Sequence, residues 1–307
     1  MGCLVRTIGF VIVVVALSIL ARRVLEPEIS IPPVGSGQKD TVVDGVRWRS
    51  REVPGESRRE TVVYVHGWLS SSSTFKRVLA KASAGRPAIA MDLPGSGFSD
   101  RPWPYDYTVG GQAEHLIRYL DARGIGRVVL VGNSLGGSVC QVIAAAQPNR
   151  VAGLVLADSA WPGMRIPIPF RMLRAPVLGE IELELLSRPV FGLTLRHNQY
   201  GRASRVTEET IDDWWFPVRV PGTRRAAIEA IRTNPHAAEG MAARISAPTL
   251  VLWGRDDKLL PSSEGLALSN AIPNARFTVL PDTGHLPQEE TPEEFSRAVS
   301  HFLRGLP

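Results

Sequence analysis

The stretch Val128-Val-Leu-Val-Gly-Asn-Ser-Leu-Gly-Gly137 decides which fold this sequence predicts. It begins with a short apolar run, which is typical of a strand buried on both faces of a sheet. The run leads into Gly132-Asn-Ser-Leu-Gly136, a G-x-S-x-G pattern, and a helix-prone segment follows as far as Gln147. A strand, a tight turn and a helix are the setting in which such a serine is exposed as a nucleophile. We therefore predict that Ser134 is a catalytic nucleophile; the alternative is a serine that only caps a helix.

Similar apolar runs recur on both sides of this stretch, and helical segments separate several of them. This alternation predicts an α/β fold with a parallel sheet covered on both faces. Asp44-Gly45, between two β-prone runs, predicts a tight hairpin at an antiparallel edge. The predicted strands lie in 41–53 (the hairpin), 61–65, 88–91, 127–131, 151–157, 249–253 and 276–280, and the predicted helices include 109–121, 135–147 and 292–303.

One interval interrupts the alternation and divides the predicted sheet domain in two. Residues 159–245 contain helical pieces but no clear strand, so we interpret them as an inserted helical cap. Its apolar run Trp161–Phe170 and its cluster Trp214-Trp215-Phe216 either pack the cap onto the sheet or line an apolar substrate pocket. The core is then expected at 41–158 and 246–307, after an amino-terminal segment at 1–25 and a linker at 26–40.

The amino terminus is unusually apolar for this chain. Thr7–Ala21 carries no charge and lies between Arg6 and the pair Arg22-Arg23. Fifteen helical residues span only about 22 Å, so an anchor would also need Cys3 to Arg6, with Arg6 reaching the interface. We expect a single membrane anchor of undetermined orientation; a cleaved signal peptide or a buried helix are the alternatives.

Composition excludes several classes of protein. The 307 residues are 44% hydrophobic and 21% charged, which disfavours disorder and a polytopic membrane protein. The net charge is +5, but basic residues are scattered among acidic ones, so we expect no nucleic-acid partner. Cys3 and Cys140 have no metal-binding spacing and cannot form a disulfide framework, so we expect no metal site.

A serine nucleophile needs a base and an acid that orients the base. Of the six histidines, His285 is the predicted base, because it follows the last strand in a turn-rich loop. Asp256 and Asp257 follow the preceding strand, and either one preserves the chain order Ser, Asp, His.

These motifs resemble the α/β-hydrolase fold superfamily over Thr41–Leu303. The resemblance implies a mostly parallel, eight-stranded sheet with helices on both faces and a helical cap insertion. It also favours Asp257 as the acid, because a glycine lies three residues before it and a proline four residues after it. Asp256 remains an alternative, and so does Asp158, because some members carry the acid after the preceding core strand.

The resemblance also implies an oxyanion hole and several structural residues. His66-Gly67-Trp68 is similar to the family's His-Gly-x segment, so the backbone N–H groups of Trp68 and Leu135 are the expected oxyanion donors. His66 is then structural, and Asp92–Asp100 is similar to a loop whose aspartate and glycines shape a turn.

The expected activity is that of a serine esterase or lipase acting on an ester or lipid beside a membrane without a cofactor, and the monoacylglycerol type is one form considered. The alternatives are a carbon–carbon bond hydrolase, thioesterase, aminopeptidase, perhydrolase or cofactor-free haloperoxidase. The Gly-Asn-Ser-x-Gly-Gly form favours the first of these, and the absence of a Gly-Pro-Gly oxyanion loop argues against it. A slow ligand-binding module of the same fold is a further alternative. The protein is expected in a bacterium, membrane-anchored, or secreted or periplasmic if the segment is cleaved.

Overall fold

A computed structural model describes residues 2–55, 59–165, 167–232 and 240–306, except for the side chains of residues 2–12 and 169. Eight strands form one sheet in the order β1-β2-β4-β3-β5-β6-β7-β8. Their bounds are β1 Gln38–Val43, β2 Val46–Val53, β3 Thr61–Val65, β4 Ala88–Met91, β5 Val128–Asn133, β6 Val151–Ala157, β7 Thr249–Gly254 and β8 Ala275–Leu280. The pairs β1–β2 and β2–β4 are antiparallel, and all other pairs are parallel. The predicted fold class is confirmed.

Helices connect the parallel strands and cover the sheet. They are α1 Gly2–Leu25, α2 Leu79–Ala82, α3 Val109–Ala122, α4 Leu135–Ala146, α5 Ile168–Leu173, α6 Leu178–Leu185, α7 Arg188–Thr194, α8 Glu208–Val218, α9 Thr223–Arg232, α10 Ser262–Ala271, α11 Pro287–Glu290 and α12 Pro292–Arg304. Short 3-10 turns lie at Ser72–Phe75, Pro148–Arg150, Ala203–Arg205 and Ala242–Arg244, and a π-helical turn lies at Leu195–Gln199.

The predicted hairpin forms the antiparallel edge of the sheet. Val43 pairs with Val46, and the two residues between them, Asp44 and Gly45, have φ angles of 49° and 78°. Two consecutive positive φ angles are typical of a type I′ turn, whose twist matches that of the flanking strands.

The core lies on both faces of the sheet, as the apolar strands require. Successive residues of a strand point to opposite faces. In β5, Leu130 belongs to one buried cluster together with Val139 of α4. The next residue, Val131, belongs to a second cluster together with Phe295 of α12. The central strands are therefore mostly apolar and show no polar alternation.

The interval predicted as a cap enters the fold between β6 and β7. Its described part contains helices α5 to α9 and no strand. Of the predicted cluster, Trp214 and Trp215 are buried within it, whereas Phe216 is 42% exposed. Trp68, from the loop after β3, donates its indole N–H to the carbonyl oxygen of Ala227 in α9 at 2.8 Å. This bond ties the insertion to the carboxyl edge of the sheet. We refer to residues 159–245 as the cap.

The expected membrane anchor is not supported. Among the described residues, no helix is both long enough and apolar enough to cross a bilayer. The side chains of residues 2–12, which include the first part of the apolar run, lie outside the description.

The end of α1 is instead bound to the cap. Arg22 is 7% exposed and donates to the carboxylate and the carbonyl oxygen of Glu184, both at 2.6 Å. The segment predicted as a linker continues this contact, because Ile29 N–H donates to the carbonyl oxygen of Arg219 at 3.2 Å. These contacts hold the carboxyl-terminal end of α1 and the segment after it against the cap.

Candidate active site

Ser134 lies on the sharp turn between β5 and α4. Its φ and ψ angles are 53° and −122°, a combination that non-glycine residues rarely adopt. Such a turn lifts the side chain clear of the sheet at the carboxyl end of the strand. Glycines permit the turn: a Cβ on Gly132 would lie 2.6 Å from the Gly136 carbonyl oxygen, and one on Gly136 would lie 2.2 Å from that of Val65. The spacing of the G-x-S-x-G pattern therefore has a steric cause.

The two predicted oxyanion donors flank this serine. Leu135 is the first residue of α4, so its N–H has no partner within the helix. The loop that carries Trp68 passes close by, because a Cβ on Gly67 would lie 3.1 Å from the Cβ of Ser134. Within the described chain, neither the Trp68 nor the Leu135 backbone N–H donates a hydrogen bond to another protein group. Both donors are therefore available to a bound oxyanion.

The imidazole of His285 is hydrogen-bonded to Asp257. Nδ1 of His285 donates to Oδ2 of Asp257 at 2.7 Å, and both residues are buried. The other oxygen of Asp257 accepts the N–H groups of Leu259 and Leu260 at 2.8 and 2.9 Å. Asp256 is exposed, and its side chain takes no part in this contact. Of the two neighbouring aspartates, Asp257 is therefore the one that contacts the imidazole.

Backbone contacts hold the His285 loop in place. Nδ2 of Asn133 donates to the carbonyl oxygen of His285 at 3.1 Å. The backbone N–H of His285 donates to the carbonyl oxygen of Gln199 at 2.7 Å. Oε2 of Glu290, whose side chain is fully buried, accepts the N–H of Gly284 at 2.7 Å. Sequence reasoning missed Gln199 and Glu290. Gln199 and Glu290 contact backbone atoms of the His285 loop, and such contacts leave no motif in the sequence.

Ser134 and His285 thus lie on adjoining loops at the same edge of the sheet. No hydrogen bond joins the Ser134 hydroxyl to the imidazole in the described structure. Such contacts are often long before a substrate binds and shorten in the reacting complex. The positions of the serine, the base and the acid suit acyl transfer.

Asp158 is a third acidic group at this edge. It follows β6 and is completely buried, and one of its oxygens lies within 4.8 Å of an Asp257 oxygen and a His285 nitrogen. The potential ligand atoms of these three side chains are close enough together to bind a metal ion. Within this group, Nδ1 of His285 is already hydrogen-bonded to Asp257, as in the acid–base pair of a serine hydrolase.

The expected structural residues are placed as predicted. Nε2 of His66 accepts the N–H of Leu93 at 3.1 Å and Nδ1 donates to the carbonyl oxygen of Gly67 at 2.7 Å, while burial lowers the pKa of His66. The carboxylate of Asp92 accepts the N–H groups of Ser72 and Phe98 at 2.6 and 2.7 Å. These bonds tie the oxyanion loop to the neighbouring turn.

A mostly apolar cavity of about 550 Å³ opens beside Ser134. Its size is that of a small-molecule site. One wall is a stripe on α4 formed by Leu135, Ser138, Val142, Ala145 and Ala146. Facing groups come from the cap and its borders, and include Trp161, Met164, Phe170 and Met241. Two arginines, Arg174 and Arg244, also line it.

The similarity of the chain to known proteins agrees with the fold described above. Residues 60–292 match the profile of a family described as alpha/beta hydrolase fold. A 2-hydroxy-6-oxononadienedioate/2-hydroxy-6-oxononatrienedioate hydrolase of Burkholderia vietnamiensis is 33% identical over 86% of this chain and 94% of its own length. A 2-hydroxymuconate semialdehyde hydrolase of Pseudomonas putida is 32% identical over 73% of this chain and 79% of its own. The crystal structure of a thermophilic esterase from Thermogutta terrifontis superposes with a TM-score of 0.73 at 25% identity, covering 87% of this chain and 98% of that one.

Proposed function

The chain belongs to the alpha/beta hydrolase fold family and is a hydrolase; from this and the geometry of its site, we propose that it cleaves carboxylic esters through an acyl-enzyme on Ser134. The observation that carries the proposal is the apolar cavity that begins at Ser134 and follows α4. A cavity of this chemistry suits the hydrocarbon part of an acyl group or an alcohol.

In the proposed mechanism, the hydroxyl oxygen of Ser134 attacks the ester carbonyl carbon while His285 accepts the hydroxyl proton. Asp257 orients the imidazole and stabilises its positive charge. The N–H groups of Trp68 and Leu135 donate to the oxyanion, a contribution of about 10²–10³ in rate per donor. The imidazolium protonates the leaving alcohol, and a water molecule activated by His285 then releases the acid. This chemistry requires no cofactor.

The cavity also bears on the length of the substrate. Twelve residues of helical rise separate Ser134 from Ala146, which corresponds to about 18 Å. Along this distance α4 presents only uncharged side chains to the cavity. We propose that a long hydrocarbon chain lies along α4, with its carbonyl carbon at Ser134.

The outer surface of α5 supports a lipid ester, such as a monoacylglycerol, as the substrate. Phe170 of α5 lines the cavity, while Ile168 and Met172 on the same helix are 66% and 49% exposed. An apolar surface beside a cavity mouth suits a substrate presented from a lipid aggregate. Turnover of a monoacylglycerol above its solubility limit, compared with a short soluble ester, tests this point.

A carbon–carbon bond hydrolase is the second candidate, and the named relatives favour it over an ester hydrolase. Two of them, at 33% and 32% identity, are hydrolases of 2-hydroxy-6-oxo or muconate compounds. Arg174 and Arg244, which line the cavity, are the groups that would bind an anionic substrate of this kind. The long uncharged wall along α4 is the observation that leads us to place the ester first.

The experiment that decides between them measures both reactions on one preparation. Hydrolysis of p-nitrophenyl esters of increasing acyl length is compared with consumption of a 2-hydroxy-6-oxo-dienoate, followed by its loss of ultraviolet absorbance. The ester proposal expects higher kcat/KM on medium or long esters. Turnover of the dienoate without turnover of any ester would replace it with the second candidate.

A further inference from the structure

The proposed mechanism makes no use of Asp158, although this residue lies beside the acid and the base. It follows β6 directly, and Ala157 of β6 is paired with Leu252 of β7, the strand that leads to Asp257. Its φ angle is 43°, in the left-handed region that non-glycine residues seldom adopt. The N–H of Asp158 donates to the carbonyl oxygen of Leu252 at 3.0 Å. Asp158 is thus fixed in place from the sheet side.

The carboxyl group of Asp158 is only half satisfied by the surrounding protein. Oδ1 accepts the N–H of Gly254 at 2.8 Å. Oδ2 is buried and has no donor within the described chain. Burial of an ionised carboxylate with an unpaired oxygen is unfavourable in free energy. Protonation removes the charge and makes that oxygen a hydrogen-bond donor.

The charged groups around Asp158 also disfavour its ionisation. Asp257, in the loop after β7, and Glu290, on α11, are negative neighbours, and His285 is the titratable group of the loop after β8. Two carboxylates that share a buried site repel each other when both are ionised, so ionisation of the second one is unfavourable. Burial and then the charge of Asp257 raise the pKa of Asp158 well above its usual range.

We propose that Asp158 is a positioning residue of the catalytic group: a neutral carboxylic acid whose Oδ2 donates a hydrogen bond to the carboxylate of Asp257. The proton stays on Asp158 through the reaction, so no bond to substrate is formed or broken there. The hydrogen bond stabilises the ionised carboxylate of Asp257 and fixes its orientation toward Nδ1 of His285. The inference rests on the proposed function, because it assigns Asp257 and His285 to the reaction.

This role predicts a pH effect that a merely structural residue would not cause. The donated hydrogen bond draws electron density from Asp257 and weakens its support of the imidazolium. Without the donor, Asp257 stabilises the imidazolium more strongly, and the free base appears only at higher pH. An ionised Asp158 would itself stabilise the imidazolium, so its replacement by a neutral residue would shift the curve to lower pH.

The test follows the rate of inactivation by a fluorophosphonate against pH in the wild type, Asp158→Asn and Asp158→Ala. The amide of Asp158→Asn retains a donor, so we expect the midpoint of its curve to match the wild type. In Asp158→Ala the midpoint should rise by on the order of 0.5–1 pH unit. A midpoint that falls in Asp158→Asn, or that stays unchanged in Asp158→Ala, overturns the proposal. Asp256→Asn, at the exposed neighbouring carboxyl, is the matched control.

A second measurement serves if Asp158→Ala does not fold and also separates this inference from the proposed function. The infrared difference spectrum between the wild type and Asp158→Asn at neutral pH should contain the carbonyl stretch of a protonated carboxylic acid. Its absence would show that Asp158 is ionised and would overturn the inference even if the enzyme is active. If the carbonyl stretch is present but the fluorophosphonate does not label the protein, Asp158 is a neutral acid as inferred, and the proposed role of Ser134 as nucleophile is rejected.

Discussion

The side-chain amide of Asn133 donates to the backbone carbonyl oxygen of His285 at 3.1 Å. The residue before the candidate nucleophile therefore holds the loop that carries the candidate base. The same amide nitrogen donates to the carbonyl oxygen of Ala157 at 3.1 Å, so one buried group connects the ends of β5 and β6 with the loop after β8. This contact gives a role to the asparagine in the Gly-Asn-Ser sequence.

Replacement of Asn133 by alanine should lower kcat by roughly 10–100-fold with a smaller change in KM, because the imidazole loses a positional restraint. Steady-state kinetics on the best ester give both constants. Gln112→Ala is the control, because Gln112 is also a buried amide and donates to the carbonyl oxygen of Pro94 at 3.0 Å, in the turn after β4. Equal losses of kcat in the two variants would show that general destabilisation is the cause.

The identity of the acid is tested at two neighbouring residues. Asp257→Asn should reduce kcat by about 10³–10⁴-fold, because an amide cannot stabilise the imidazolium and favours the wrong tautomer of His285. Asp256→Asn should leave kcat nearly unchanged, since this side chain is exposed and Nδ1 of His285 donates to Asp257 instead. A large loss in Asp256→Asn together with a small loss in Asp257→Asn would contradict the assignment.

The chain-length preference should change when the cavity is shortened. Val142 lies midway along the α4 wall, so Val142→Trp should block the part of the cavity beyond it. We expect kcat/KM to fall by roughly 10–100-fold on long-chain esters and to change little on short ones. Leu266→Trp is the control, because Leu266 is 49% exposed on α10 and is not part of the cavity. A uniform loss on all esters would remove the support for a chain lying along α4.

The stability of the protein should depend on pH through Glu289, which joins the core to the cap. The carboxyl of this half-buried residue accepts hydrogen bonds from Tyr200 at 2.6 Å and Trp214 at 2.9 Å, and from Thr74. Burial raises the pKa of Glu289 above its usual value in spite of these bonds. Its contribution is therefore complete below the pKa of the unfolded chain and is lost as pH rises through the folded value.

Urea unfolding from about pH 4 upward measures this effect. The free energy of unfolding of the wild type minus that of Glu289→Gln should decrease as pH rises. The same difference for Glu293→Gln, an exposed position on α12, serves as the reference. A Glu289 difference that increases with pH would mean that the carboxyl is more acidic in the folded protein than in the unfolded one.

Local sequence features predicted most of the sheet. The runs at 61–65, 88–91 and 151–157 match β3, β4 and β6 residue for residue, because strands buried on both faces are mostly apolar and so produce continuous apolar runs. Helix α10 was not predicted, since Ser262–Ala271 has no apolar stripe and only Gly265, Leu268 and Ser269 are buried. Its place in the fold comes from tertiary contacts.

The candidate site was predictable where its residues occur in local motifs. The strained turn at Ser134 requires glycines at fixed spacings, so the pattern is visible in the sequence. The choice between Asp256 and Asp257 depends on which side chain points inward at the end of β7, and a resemblance to the family decided it where local sequence did not. Glu290 and Gln199 were not found, because they bind backbone atoms across the fold.

The most direct test of the account is covalent labelling of Ser134. Intact-protein mass spectrometry after treatment with a fluorophosphonate, followed by peptide mapping, should show one adduct on the peptide that contains Ser134. Ser134→Ala should acquire none, although its thermal unfolding should remain cooperative. Undiminished labelling of Ser134→Ala, or an adduct on another residue of the wild type, would contradict the proposed nucleophile and the mechanism built on it.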